Sequence, residues 1–147
     1  MSEQAETPVV GDFPVTWPVS TRWTDNDMFG HLNNAVHYGL FDSAINAWLA
    51  REAGQDAMTD PAIPYLAESG CRYLAELRYP QDLVVGIRVD RLGTSSVTLA
   101  LALYPAGAAS TDPVAAVGRW VHVYVDRETR RPTPVPDAAR AVYESAR

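Results

Sequence analysis

An acid, a glycine, a histidine and two asparagines crowd one short stretch, at Asp27, Gly30, His31, Asn33 and Asn34, directly ahead of a long apolar run. A segment so polar cannot be core, yet it feeds residues that must be. Asn33 and Asn34 are both good helix N-caps. Asp27 then stands at the mouth of the helix, close to backbone N–H groups without intrahelical partners. A carboxylate beside donors that favour developing negative charge is the start of an active site.

Blander roles compete for the same residues. Asp27 could simply cap a turn, and Asp25, off the pattern, reads as a surface or turn-capping acid. A calcium loop starting at Asp25 fails, because its fifth and twelfth positions are Phe29 and Val36, where an oxygen ligand and a glutamate are needed. Gly30 allows either a backbone conformation or a close substrate approach that a β-carbon would block. His31 orients the loop, and Asn33 and Asn34 are caps first and substrate contacts second. Farther along, His122 reads as a structural or interface residue between two valines, Glu68 as a satisfied surface carboxylate, and Cys71 as a small packing residue. The chain has no Gly-x-Ser-x-Gly elbow, no glycine-rich phosphate loop and no His-Glu-x-x-His. Its three histidines and one cysteine lie at spacings unrelated to a zinc site, and no metal or other cofactor is required.

The elements that must hold this turn follow from periodicity. Phe13 to Trp23 is extended, and Pro14 and Pro18 confine it to a sheet edge or strand start. After the turn, Val36, Leu40, Phe41, Ala44, Ile45 and Trp48 repeat at helical spacing, with Gly54 as the stop. Polar interruptions are few, which predicts a helix buried on nearly all sides. Ile63 to Leu77 reads as one long strand, bent near Ser69-Gly70. Val85, Ile87 and Val89, then Val97, Leu99, Leu101 and Leu103, alternate as strands do. In the last strand Val117, Val121, Val123 and Val125 share one face, with Trp120, His122 and Tyr124 on the other. One strand, one long helix and four antiparallel strands make an α+β order. Residues 1–12 and 127–147 read as tails around a domain at 13–126, the second contributing little core and ending in a short helix.

Composition bounds the rest. The 147 residues suit a single domain, and 47% apolar content with four Trp and seven Tyr indicates a folded globule. One cysteine permits no internal disulfide and suits a reducing cytoplasm. The acidic N-terminus lacks the regions of a signal peptide, and no apolar run approaches the roughly 20 residues that span a bilayer. A net charge of −6 argues against nucleic acid. The chain has no lysine, so any phosphate must meet arginine forks.

The run Asp27-Met28-Phe29-Gly30-His31-Leu32-Asn33-Asn34, with Tyr38 and Phe41-Asp42 after it, resembles the motif of hotdog-fold thioesterases of the 4-hydroxybenzoyl-CoA thioesterase-like family. The likeness continues through Glu68–Tyr73 and Arg91–Ser96. It implies a single hotdog domain, an antiparallel sheet wrapped around one long central helix. It implies an acyl-CoA thioesterase that releases a free acid and CoA. Asp27 would act as nucleophile through a mixed anhydride or as general base to water, with N–H donors around Asn34 and Ala35. Gly30, His31, Asn33, Asn34, His37 and Tyr38 would contact substrate. His37 stands where the family often has Tyr. The resemblance further implies a homodimer with its active sites at the subunit interface, two of which can form a homotetramer. CoA phosphates would meet arginines such as Arg72, Arg78, Arg88 or Arg91. An acyl-carrier-protein thioesterase, a hotdog dehydratase and a non-catalytic acyl-CoA-binding dimer are the alternatives. Trp23, Phe29, Phe41 and Trp48 suit an aromatic or a medium-chain acyl group equally, and most of them read as core.

Overall fold

The computed structural model describes residues 5–147. In chain order it contains β1 (Val15–Ser20), α1 (Asn34–Ala53), β2 (Ala62–Tyr73), β3 (Asp82–Leu92), β4 (Ser96–Pro105), β5 (Ala116–Asp126) and α2 (Asp137–Ser145). The strands form one antiparallel sheet in the order β1-β3-β4-β5-β2, so the first two strands of the chain become its edges. Pro18 is tolerated because β1 has a partner, β3, on one side only.

The sheet curls around α1, the arrangement that the resemblance implies. Phe41, Ile45 and Leu49 of the helix meet Leu99, Leu101 and Leu103 of β4 and Trp120 and Tyr124 of β5, all fully buried. On β5 the even-numbered residues face the helix and Val117, Val121 and Val123 stand half-buried on the outside. The ends of α1 lie where residue types put them. The Asn33 side chain accepts from the Ala35 N–H at 2.9 Å, and Gly54 closes the helix at φ 64°.

Four expectations need correcting. The helix is not buried on nearly all sides: Asn34, Ala35, Gly39, Ser43 and Asn46 are exposed, because one curled sheet covers a single side of a cylinder. The irregularity in β2 falls between Leu66 and Glu68 rather than at Ser69-Gly70, and the strand ends at Tyr73, not Leu77. Residues 127–147 contribute core: Val135, Ala139, Tyr143 and Ala146 are buried, and the Tyr143 hydroxyl lies 2.8 Å from that of Tyr124. Residues 1–4 of the expected N-terminal tail lie outside the described residues. From Val9 the chain is tied down, with Val10 and Gly11 donating to Asp112 and Ser110 carbonyls at 3.0 and 2.8 Å.

Candidate active site

The polar turn is a closed loop of its own. Asn26 and Leu32 bridge its two sides, the Asp27 N–H donates to the His31 carbonyl at 3.0 Å, and the Gly30 N–H returns to the Asp27 carbonyl at 3.1 Å. The Asp27 carboxylate accepts the Phe29 N–H at 2.9 Å, an Asx turn that fixes its direction. Gly30 completes the reversal at φ 84°. His31 Nδ1 lies 4.0 Å from the same Asp27 oxygen and 3.3 Å from the Leu32 carbonyl.

Two anchors hold the loop to the body. Leu32 is buried and its N–H donates to the Leu77 carbonyl at 2.7 Å, while Asn26 Oδ1 accepts the Tyr79 N–H at 2.9 Å. Asp25 supplies the third tie. Its carbonyl accepts the N–H of the cap residue Asn33, and its carboxylate accepts the Arg22 backbone N–H and guanidinium at 2.7 to 3.2 Å. It does cap a turn, as expected, but it is 2% exposed and not a surface group. A buried carboxylate needs such partners, and the backbone path between strand and helix provides them.

Beside the loop lies a cleft of about 250 Å³ walled by His31, Asn34, His37, Tyr73, Glu76 and Leu77. His37 is buried, its Nδ1 3.2 Å from the Asn33 carbonyl and its ring edge-on to Tyr73 at 4.8 Å. The contact to a carbonyl puts the proton on Nδ1 and leaves Nε2 an acceptor. Burial is the main cause that lowers the His37 pKa, so the ring is neutral at pH 7. The Tyr73 hydroxyl donates to the Asn34 carbonyl at 2.9 Å; although the residue as a whole is exposed, desolvation of the hydroxyl, with Cys71 beside it, pushes its pKa up to about 12.

Of the substrate contacts expected from sequence, His31, Asn34 and His37 therefore meet at one cleft. Asp27, Gly30 and Asn33 do not line it, and Tyr38 packs on Trp120 at 4.9 Å. The Ala35 N–H, expected as a donor to substrate, is taken by Asn33; among the described residues the Asn34 N–H has no partner. Tyr73 was not foreseen in the site. It lies 39 positions from Asn34, and no local spacing joins the two. Phe41 and Trp48 are core and cannot line a pocket, whereas Trp23 and Phe29 are largely exposed. Arg88 is paired with Asp90 and stacked on Phe13; Arg72, Arg78 and Arg91 are exposed. Glu68 pairs with Arg119 at 2.9 Å on the surface.

Residues 21–142 match the family model described as the thioesterase-like superfamily. The chain belongs to that superfamily. Among solved structures, this thioesterase-like chain is similar to the PA5185 protein of Pseudomonas aeruginosa strain PAO1, 37% identical over 97% of both chains with a TM-score of 0.92. It is also similar to a thioesterase of Thermus thermophilus complexed with coenzyme A and Zn, 29% identical over 88% of this chain and 96% of that one, TM-score 0.71. A match to the protein YsmA of Bacillus subtilis (strain 168) is 26% identical over 81 residues, 55% of this chain. It spans about half of that relative's length, 54%. The α+β architecture is thus the hotdog fold of thioesterase-like proteins, with the Asp27 loop at the N-terminus of its central helix.

Proposed function

We propose that this protein is an acyl-CoA thioesterase, with Asp27 as the reacting carboxylate and the start of α1 as the oxyanion site. The observation that carries this reading is the Asp27 loop itself: a carboxylate held by an Asx turn, joined through Asn33 to a helix whose first N–H, at Asn34, has no partner among the described residues. A thioester carbonyl seated there would meet that N–H and the helix dipole at its oxygen. As general base, Asp27 removes a proton from the water that attacks the carbonyl carbon. As nucleophile, it attacks the carbon itself and forms a mixed anhydride that water then hydrolyses. In both routes the tetrahedral oxygen gains charge at the helix terminus and CoA leaves as the thiolate. Loss of one such donor in other enzymes costs on the order of 3 kcal/mol of transition-state binding.

The same reading includes a homodimer joined through the β2 edges, and a homotetramer through the outer β5 face, where Val117, Val121 and Val123 are half-exposed. Tyr65 and Leu66 are exposed on the free edge strand. A cytoplasmic setting agrees with acyl-CoA as substrate and with the free thiol of Cys71.

The test is thiol release from short, branched, long and aromatic acyl-CoAs, with wild type and Asp27→Asn side by side. The variant should keep its fold and lose turnover by a factor of about 100 or more, of the order that removing a general base costs. Near-normal turnover in Asp27→Asn would remove Asp27 from the chemistry. Tight binding of intact acyl-CoA with no turnover in wild type would leave a binding dimer in place of an enzyme.

A further inference from the structure

The first peptide of α1 joins Asn33 to Asn34, and its two ends differ. Its N–H, at Asn34, has no partner among the described residues, and Asn34 lines the cleft beside the Asp27 loop. Its carbonyl, at Asn33, is bonded twice: the Val36 N–H donates to it at 3.0 Å and the His37 Nδ1–H at 3.2 Å. The second bond lies outside the helical pattern. It comes from a buried ring one turn farther on, set edge-on to Tyr73 with centroids 4.8 Å apart. The next peptide is closed at both ends, its N–H by Asn33 Oδ1 and its carbonyl by the Tyr73 hydroxyl, each at 2.9 Å.

A peptide bond is planar and trans, so holding its oxygen fixes the direction in which its N–H points. Hydrogen bonds in a chain also polarise one another, and a carbonyl that accepts one makes the N–H of the same unit a stronger donor, by about 10–30% per bond. A donor placed on the Asn33 oxygen therefore acts at the Asn34 N–H, at the other end of that peptide.

We propose that His37 is a positioning residue for the hydrolysis: through the Asn33 carbonyl it aims and strengthens the Asn34 N–H that receives the thioester oxygen. The proposal rests on the hydrolytic reading above, and it sets His37 to work on the peptide rather than on the substrate. Two other roles compete. As a wall of the cleft, His37 would touch substrate through Nε2, and its loss would raise KM. As a buried imidazole, it would bond Asn33 only to satisfy Nδ1, and its loss would lower Tm and leave turnover alone.

The test compares wild type with His37→Phe and His37→Leu, which remove the donor and keep an apolar body. His37→Asn is the conservative variant, because its side-chain amide still carries N–H donors. Thermal melts establish that each is folded, and kinetics use whichever of acetyl-, isobutyryl-, palmitoyl- and benzoyl-CoA wild type turns over fastest. In His37→Phe and His37→Leu, kcat should fall about tenfold with KM within about twofold, a smaller loss than the roughly 100- to 1,000-fold of removing an oxyanion donor outright. His37→Asn should restore kcat to within about threefold of wild type. The second readout is the infrared band of the carbon-13-labelled thioester carbonyl of acetyl-CoA and benzoyl-CoA, bound to Asp27→Asn with and without His37→Phe. Loss of the imidazole should move the band to higher frequency, because a weaker donor polarises the carbonyl less. A change in KM alone, a loss of kcat that His37→Asn does not restore, or an unmoved band would overturn the proposal. Wild type that binds acyl-CoA and turns none over would sink hydrolysis, and a band that still moves with His37 would support its action on the Asn34 N–H.

Discussion

Gly30 has no atom within 4 Å of a β-carbon position and a φ of 84°, so what it supplies is backbone conformation rather than room. An L-residue in the left-handed region costs about 1–2 kcal/mol, least for asparagine. Gly30→Asn should therefore keep turnover within about threefold of wild type. Gly30→Val should lower both turnover, by about tenfold or more, and Tm. Steady-state kinetics and a thermal melt on the two variants decide the matter. Equal damage from both would mean that substrate, absent from the free protein, comes too close to residue 30 for any side chain. At this scale much of the site was legible. The asparagine cap and the acid-to-glycine turn are local chemistry, set by residues a few positions apart. Asp25 and Asp27 could not be told apart by burial, because their difference lies in where the backbone turns: Asp25 is closed in by Arg22 and by the Asn33 N–H, and Asp27 stays partly exposed beside His31.

Helices and strands were legible in type and misjudged in company. Asn33 and Gly54 end α1 by their own preferences, and the alternation of β3 and β4 reads directly as half-buried strands. Pairing across long separations does not show in periodicity. Nothing local says that β2 pairs with β5, or that Tyr143 enters the core beside Tyr124. The same blindness hid the two buried histidines. His37 of α1 and His122 of β5 are 3% and 4% exposed, and His122 Nδ1 has no hydrogen-bond partner among the described residues. Burial lowers both pKa values from the ordinary 6.5, with Asp42 opposing it at His122. The sign follows: below pH 6.5 the unfolded chain takes up protons that the folded chain refuses, so stability is full above that pH and lost on acidification. Tm should fall steadily from about pH 7 to about pH 5, and His122→Gln should flatten that slope. A wild-type Tm unchanged over this range would show that neither ring is neutral by necessity.

For the whole molecule the unfinished parts lie together. The free edge of β2 and the mouth of the His31 cleft, walled by Tyr73 of that strand, both belong to the side of the sheet away from β1. A long edge strand with exposed Tyr65 and Leu66 invites pairing, and pairing with its own copy would remove the edge. Two lysines on that edge, Tyr65→Lys with Leu66→Lys, would repel their counterparts across such a pair. Wild type should then sediment at twice the 16.1 kDa of one chain or more, and the double variant at the single-chain mass. If each active site is completed by the partner, thiol release should fall with the dimer, by about tenfold or more, while the melt of the isolated chain stays cooperative. A fully active wild-type monomer would put the whole reaction inside one chain, with the Asp27 loop and the start of α1 needing nothing from across the edge.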